Sequence, residues 1–588
     1  MTERDPTCIG RVRHVLGAQV TVALDIDLAG VAPIFRGRLQ PIGQIGSLVR
    51  IPQGLVDLIA TVSLLGIAEL AGAQAPAEVV QTGERWLQVQ LLGEIDRGTR
   101  HFQRGVGSYP GLDDPVHFAT SEDLIAVFPQ QDEDHLRLGR LAAAEDVPVC
   151  LDAGRLVLRH AAITGSTGAG KTSAVASLLQ GFVKGGWRNA NIVVIDPHGE
   201  YTQALGPHSS TRSVLGEGKG QLRVPFWALP AEDVLRVFTG GGTGGATTAK
   251  RFAELARLAR QRFVEDASWL QLDPAAVTAD TPVPFDINRV WYELDYENNE
   301  TRGKKSDPDT VEVEDQGDAA TLRSARFVPY NPGSATPDQA PTYGNYGSTP
   351  EVLRLGLLDK RLQFFLQPIP DPTGSDDPLV AEMGDWLGGE KPISVLDFAG
   401  VPDQAAELAI GVVLNLLFEV AVRSEPEGPG IGRPNPVLVV LEEAHRYLGD
   451  AAVPIAGAAA NRIAREGRKY GVGLMLVTQR PSELPDTALA QCGTLIALRL
   501  SNSLDQGKIR AALPDSVAGL AAALPALRTG EAVVSGEAVV LPARTLIDCP
   551  DPLPRAEDPS LRPWRDTESI PDLAPPLAAW RGTYEEDK

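Results

Sequence analysis

The spacing of apolar positions changes its rhythm along this chain. From residue 1 to about 118, short alternating runs (Val20-Thr21-Val22-Ala23-Leu24, Leu48-Val49-Arg50-Ile51, Trp86-Leu87-Gln88-Val89-Gln90-Leu91) lie between glycine and proline punctuation. Alternation with a period of two reads as half-buried strands, and strands at this density predict a small β-barrel. From about residue 136 the runs become nearly continuous: His160–Thr164, Asn191–Ile195, Ile393–Leu396, Val437–Leu441, Gly473–Val477 and Leu495–Leu498. Such runs fit strands buried on both faces of a parallel sheet, and the helical stretches between them predict a doubly wound α/β core.

Residues 229–374 interrupt that alternation. They hold a glycine cluster at Gly240–Gly245, a helix-like stretch from Lys250 to Asp266, and a polar region at 296–320 with Lys304-Lys305 beside many acids. Pro and Gly follow to 349, then an amphipathic Leu353–Leu366. This reads as an insertion, partly helical, with a mobile loop. Glu531–Val534, Ser535-Gly536 and Glu537–Leu541 predict a hairpin with a two-residue turn. After Cys549 the chain is Pro-rich and acidic, with a helix-like stretch at Leu577–Trp580, and is expected to lie on a neighbour or a partner. The expected division is a barrel at 1–118, the first part of the core at 119–228, the insertion at 229–374, the second part of the core at 375–548, and a tail at 549–588.

Composition narrows the class. The chain has 588 residues, 43% hydrophobic and 22% charged, which fits a soluble globular protein of two to four domains. No run of about 18 apolar residues stands out, so no membrane span is expected. Met1–Ile9 lacks the apolar core of a signal peptide, and a cytoplasmic protein is expected. Cys8, Cys150, Cys492 and Cys549 are isolated, which argues against a zinc site or a disulfide framework. Lys plus Arg is 54 and Asp plus Glu is 76, a net charge of −22. An acidic exterior repels nucleic acid, so any DNA contact needs a local basic surface such as a channel lining.

The chemistry concentrates in a few segments. Gly165-Ser166-Thr167-Gly168-Ala169-Gly170-Lys171-Thr172 matches GxxxxGK(S/T) at every position and lies between a strand and a helical run, Ser173–Val183. Its glycines let successive N–H groups face phosphates, Lys171 can span the β- and γ-phosphates, and the Thr172 hydroxyl can ligate Mg²⁺. Val437–Leu441 runs into Glu442 and Glu443 at a strand end that should face the ligand crevice. Glu442 is a candidate for Mg²⁺ and Glu443 for polarising the attacking water. Asp196 closes another strand and could steady the metal or the attacking water, with a structural turn as its rival. Gln479, just past a buried strand, is placed to sense the γ-phosphate. His198 and His445 read as orienting or packed residues. Arg462, Arg465, Arg468 and Lys469 share one expected helix. Arg465 and Arg468, with Arg159 and Arg499, are candidates to act across a subunit interface, against the alternative of a solvated basic face. No nuclease, protease or NADase constellation is present in the chain.

These segments together resemble HerA, within the HerA–FtsK group of P-loop ATPases. The resemblance covers nearly the whole chain outside 229–374. It rests on Ile9–Val12 and Ile45–Val49, Leu158-Arg159-His160, Asp196–Tyr201, Leu441–His445, Arg465–Gly471, Thr478–Ser482, Gln491–Thr494 and Arg499–Asn502. It implies a RecA-like core, ATP with Mg²⁺, and a homohexameric ring that passes double-stranded DNA. It implies roles for Lys171 and Thr172 at the nucleotide, for Glu442 and Glu443 in metal binding and hydrolysis, for Gln479 as a sensor, and for Arg468 and Arg159 across the subunit boundary. It also implies that the barrel docks a partner nuclease. The insertion, flanked by Val224–Ala228 and later Leu527–Ala532, departs from the archaeal pattern and looks like a bacterial branch. Members of that branch often sit beside a sirtuin-like NADase or a nuclease in anti-phage systems, whereas archaeal relatives pair with the nuclease NurA. The expectation is a DNA-translocating motor that scaffolds an effector in phage defence. A repair motor with a NurA-like nuclease and a nucleotide-gated scaffold with little translocation are the alternatives.

Overall fold

In the computed structural model the described residues are 5–25, 34–35, 38–39, 44–67, 85–216, 218–239, 242, 244–330, 332–333, 336–359, 362–366, 371–374, 376–401, 403–449, 454–514, 518–555, 561–566 and 572–581. Part of the noted glycine cluster, residues 240, 241 and 243, and residues 1–4 of the polar N-terminus lie outside them.

The alternating N-terminal runs form strands β1 (Cys8–Leu16), β2 (Gln19–Leu24), β3 (Leu48–Gln53), β4 (Val56–Ile67), β5 (Arg85–Asp96) and β6 (Pro115–Phe118). They pair antiparallel in the order β2-β1-β6-β3-β4-β5, and β5 pairs back onto β2, closing a barrel. Val20, Val22, Leu24, Leu58, Ala60, Val62, Leu87 and Val89 fill its interior, as the period of two requires. Leu48, Ile59, Leu92 and Ile95 instead pack outward against Leu124, Leu138 and the rest of the core below.

The second sheet has 11 strands. They are β7 (His135–Leu141), β8 (Ala144–Asp152), β9 (Ala161–Thr164), β10 (Asn191–Asp196), β11 (Ser209–Ser213), β12 (Ile393–Asp397), β13 (Val437–Leu441), β14 (Val472–Thr478), β15 (Thr494–Leu498), β16 (Glu531–Gly536) and β17 (Ala543–Ile547). Their order is β8-β7-β17-β16-β15-β9-β14-β13-β10-β12-β11. From β15 to β11 neighbours run parallel, and the other pairs are antiparallel. Both faces of the parallel strands are buried: Val193, Ile195, Val439 and Leu441 on one side, Ile192, Val194, Leu438 and Val440 on the other. That double burial is why these strands read as unbroken apolar runs.

Helices cover both faces. They include α1 (Ala153–Leu158), α2 (Lys171–Lys184), α3 (Tyr201–Leu205), α4 (Ala231–Thr239), α5 (Ala246–Asp266), α6 (Ile287–Asn299), α7 (Thr349–Leu358), α8 (Asp403–Arg423) and α9 (Pro454–Tyr470). Ala405–Arg423 of α8 is long and apolar enough to cross a membrane by length and composition, which the sequence reading did not anticipate. Its Ala409, Ile410, Val413, Leu414 and Leu417 are fully buried in the core, so the apolarity is that of a central helix.

One feature differs from expectation. The residues after Gly536 do not turn back as a strand at Glu537–Leu541, because β16 pairs with β17, Val534 opposite Ala543. Glu537 and Ala538 bond elsewhere: Glu537 N–H to the Gly493 carbonyl and Ala538 N–H to Thr494 Oγ1. Val539 and Leu541 are buried in the connection, which gave it a strand's apolar pattern. In the insertion, the polar stretch expected as a mobile loop carries short ladders. Thr301–Arg302 pairs with Asp338–Gln339 and Val313–Asp315 with Arg326–Phe327. The insertion's helices add Val234, Leu235, Trp291, Leu294 and Leu353 to the same core cluster as Val193 and Leu441. Residues 555–588 form a separate unit containing helices Arg562–Asp566 and Ala574–Arg581.

Candidate nucleotide site

The loop 165–170 leaves the C-terminal end of β9 and enters α2 at Lys171. Gly170 adopts φ +98, a left-handed conformation open to glycine. Having no side chain, it leaves the first-turn N–H groups of α2 without a side-chain cap, a ready anion seat. A Cβ at Gly165 would lie 2.9 Å from Leu498 Cβ, so close packing against β15 demands glycine there. The loop is braced from that side. Arg499 carbonyl accepts from Ser166 N–H at 2.8 Å and Ser166 Oγ at 2.9 Å, and Gly530 N–H donates to Ala169 carbonyl at 3.0 Å. The Arg499 guanidinium and Thr529 hydroxyl approach the Gly168 carbonyl at 3.5 and 3.4 Å. Arg499 therefore lies beside its own chain's loop.

Parallel pairing brings the remaining parts to the same edge. Thr164 is opposite Thr478, and Leu441 is opposite both Ile195 and Leu476. Thr167 Oγ1 donates to Gln479 Oε1 at 2.8 Å. Thr172 Oγ1 donates to Glu200 Oε2 at 2.9 Å. The Tyr201 hydroxyl, fully buried, donates to Glu442 Oε1. Burial pushes the Glu442 carboxyl up to about 8, reinforced by Glu443, Asp196 and Glu200 and opposed by the Tyr201 hydrogen bond. Lys171 is pulled below its ordinary value by burial, against the holding effect of Glu443, Glu442 and Glu200.

Glu443 sits at φ +49, a left-handed backbone rare for a side chain of its kind. Its Oε2 lies 3.3 Å from His445 Nδ1, which itself meets Thr478 Oγ1 at 3.0 Å. Among the described residues, that buried Oε2 has no hydrogen-bond partner. A strained backbone and an orphaned buried oxygen, both at a strand end, are the marks of a group kept for another task. Burial holds His445 below its ordinary value, favouring the neutral ring.

Asp196 is a candidate to steady the metal or the attacking water. In the structure its Oδ1 accepts from the N–H groups of His198 and Gly199 at 3.1 and 2.9 Å, and Oδ2 from Tyr201 N–H at 3.0 Å. Burial nevertheless raises it to about 6. Both oxygens are engaged in shaping the turn, the rival role weighed for this residue.

Arg159 and Arg468 are not near this edge. Arg159 follows α1 and precedes β9, and its Nη1 pairs with Glu537 Oε2 at 2.7 Å. Arg468 is exposed near the end of α9, just before β14. Both therefore flank the N-terminal ends of strands whose C-terminal ends hold the loop. At about 3.3 Å per residue, β14 puts Arg468 about 20 Å from the loop edge, and the shorter β9 puts Arg159 more than about 10 Å from it. Sequence reasoning missed Glu200, Tyr201 and Thr529 as individual site residues. Glu200 and Tyr201 had a usable signal, since they follow a strand end in the ligand crevice.

The parts fit a triphosphate with a hard cation. Thr172 Oγ1 and the carboxylates of Glu200 and Glu442 are hard oxygen donors of the kind Mg²⁺ takes beside substrate phosphates. A parallel sheet with this loop, this helix and paired carboxylates on the same edge defines a RecA-like P-loop ATPase. Within that class, the chain belongs to the HerA helicase family. The family model described as "Helicase HerA, central domain" matches residues 136–417, and "Helicase HerA-like C-terminal" matches residues 389–543. The chain is 27% identical over 501 residues to "Probable helicase MJECL08" of Methanocaldococcus jannaschii, covering 84% of this chain and 85% of that one. It is 26% identical over 452 residues to "DNA double-strand break repair helicase HerA" of Pyrococcus furiosus, covering 72% of this chain and 71% of the relative. Among solved structures, VirB4 of Thermoanaerobacter pseudethanolicus aligns with a TM-score of 0.43 and 16% identity, covering 71% of this chain and 97% of that one.

Proposed function

We propose that this protein is an ATP-hydrolysing, hexameric double-stranded-DNA translocase, a motor and scaffold for an effector docked on its N-terminal barrel. The observation that carries the reading is the meeting of Lys171 and Thr172 with Glu200, Glu442 and Glu443 at one sheet edge. The loop Gly165–Ser173 cradles the phosphates through its N–H groups at Gly168 and Gly170–Ser173, those of Gly165, Ser166 and Ala169 being bonded to protein carbonyls, and Lys171 neutralises the β- and γ-charges. Thr172 and Glu442 serve the cation side. Mg²⁺, when bound, offsets the charge that develops on the transferred phosphoryl group. Glu443, with its free Oε2, orients and deprotonates the attacking water. Gln479, hydrogen-bonded to Thr167, reports the γ-phosphate to β14. Arg468 and Arg159, on the opposite edge, complete the site of a neighbouring copy in a ring.

Names of relatives, helicase and DNA double-strand break repair helicase, support DNA as the track. The net charge of −22 restricts DNA to an inner surface and suits a protein partner outside. In this reading the effector is a sirtuin-like NADase or a nuclease, the setting is cytoplasmic phage defence, and the chain divides at 118, 228, 374 and 548. The repair-helicase names favour a second reading, end resection with a NurA-like nuclease.

Purification with the product of the neighbouring gene tests both. The expected result is a particle containing six copies, with ATP hydrolysis that rises on adding double-stranded DNA. The neighbour's identity, NADase or nuclease, separates defence from repair. Hydrolysis that is equal with and without DNA in the assembled complex overturns the translocase.

A further inference from the structure

The turn after β10 delivers two adjacent side chains to two different parts of the site. Asp196 pins its backbone through three N–H groups, and Gly199 takes φ +71 within it. So fixed, Tyr201 reaches Glu442 while Glu200 reaches Thr172. The carboxylates at this edge are thereby sorted. Glu442 is held by Tyr201, Asp196 by the backbone, and Glu443 Oε2, near His445, has no hydrogen-bond partner among the described residues. Among the described residues, it is Glu200 that receives the Thr172 hydroxyl.

That contact has a chemical consequence. A hydroxyl has one proton and two lone pairs. When the proton is committed to a carboxylate, the lone pairs are left for a cation. An oxygen whose proton is free to rotate presents them only part of the time. Orientation of a metal-binding group by its outer partner is a general feature of metal sites.

We propose that Glu200 is the positioning residue for the cation end of the site, fixing the Thr172 hydroxyl so that its lone pairs face Mg²⁺. Asp196 serves that end only through the turn it shapes. This inference rests on the nucleotide reading above and goes beyond it by assigning a residue outside the P-loop and strand-end carboxylate motifs.

The test uses the full chain and a fluorescent, non-hydrolysable ATP analogue, titrated with Mg²⁺ and again with EDTA. E200A weakens the Mg²⁺-dependent affinity about tenfold or more, the usual size for loss of an outer partner, and leaves the EDTA affinity unchanged. E200Q keeps an oxygen acceptor for the hydroxyl and recovers most of that loss. Thermal melting confirms that each variant is folded. The inference is overturned if E200A binds with wild-type Mg²⁺ dependence. It is also overturned if E200A loses affinity equally in EDTA, which would make Glu200 a support of the loop. Wild-type protein that binds no analogue with or without Mg²⁺ would instead remove the nucleotide reading itself.

Discussion

The two ends of the same parallel strands carry opposite chemistry. At the C-terminal ends of β9, β10 and β13, carboxylates converge on Lys171: Glu200, the buried Glu442 and Glu443. At the N-terminal ends of β9 and β14 stand Arg159, paired with a partly exposed Glu537, and the exposed Arg468. The first edge gathers constrained carboxylates around a lysine, and the second carries a half-buried, paired arginine and an exposed one. Strand direction explains the first, since ligand sites in open α/β sheets form outside the carboxyl ends. The contrast teaches that the groups proposed for the triphosphate and cation gather at one edge, while Arg159 and Arg468 stand at the other, where the proposed function gives them a role in a neighbouring copy.

Substitutions at the two edges can break or sharpen that contrast. Lys171→Ala has the largest expected effect: triphosphate binding is lost and hydrolysis falls to background in a steady-state phosphate-release assay. Arg468→Ala at the opposite rim lowers turnover by about 10³-fold, the scale of an arginine acting in trans, with nucleotide binding retained. Mixing it with Lys171→Ala protein regains activity, because a chain with an intact loop can then meet a chain with an intact arginine. No recovery in confirmed mixed assemblies would place the arginine's action within its own chain. Glu443→Gln lowers hydrolysis by about 10²-fold at unchanged analogue affinity, as expected for a group acting on water.

The smallest effect is on ligand-free stability, and there the edges have opposite signs. Glu442 is raised from 4.5 to about 8, so its contribution is complete below about pH 4.5 and is lost as pH rises through 8. Glu442→Gln should therefore gain Tm relative to wild type between pH 5 and 8, by roughly 2 °C. His160, left-handed at φ +54, accepts the Leu474 N–H through Nδ1 beside Arg159. Burial lowers it from 6.5 to about 4, so its contribution is present above pH 6.5 and is lost as pH falls through 4. His160→Asn keeps an acceptor without the charge and should lose less Tm than wild type over that range. Parallel pH curves for wild type and each variant would contradict the assignment.

Much of this arrangement was legible in the residue order. Val437–Leu441 is a strand over the residues its apolar run marks, and the loop at 165–172 announces itself as one contiguous segment. What the order concealed depends on turns and topology. The apolar Val539 and Leu541 imitated a strand because a connection is buried beneath the sheet. Glu200 reaches Thr172, 28 positions away, only because Asp196 fixes the intervening turn. The polar 296–320 region reads as a loop because the ladders in and beside it are two or three residues long, too short to show a period. The separation of Arg159 and Arg468 from Lys171 follows from strand direction, which no motif states.

The central claim is that loop 165–172 and the strand end at Glu442-Glu443 hold one triphosphate between them. A structure of the full chain with Mg²⁺ and a non-hydrolysable ATP analogue tests it most directly. The account predicts the phosphates on the N–H groups of that loop, the cation at Thr172 Oγ1, and a water against Glu443 Oε2. A nucleotide bound elsewhere, or a loop left empty at saturating analogue, would contradict it.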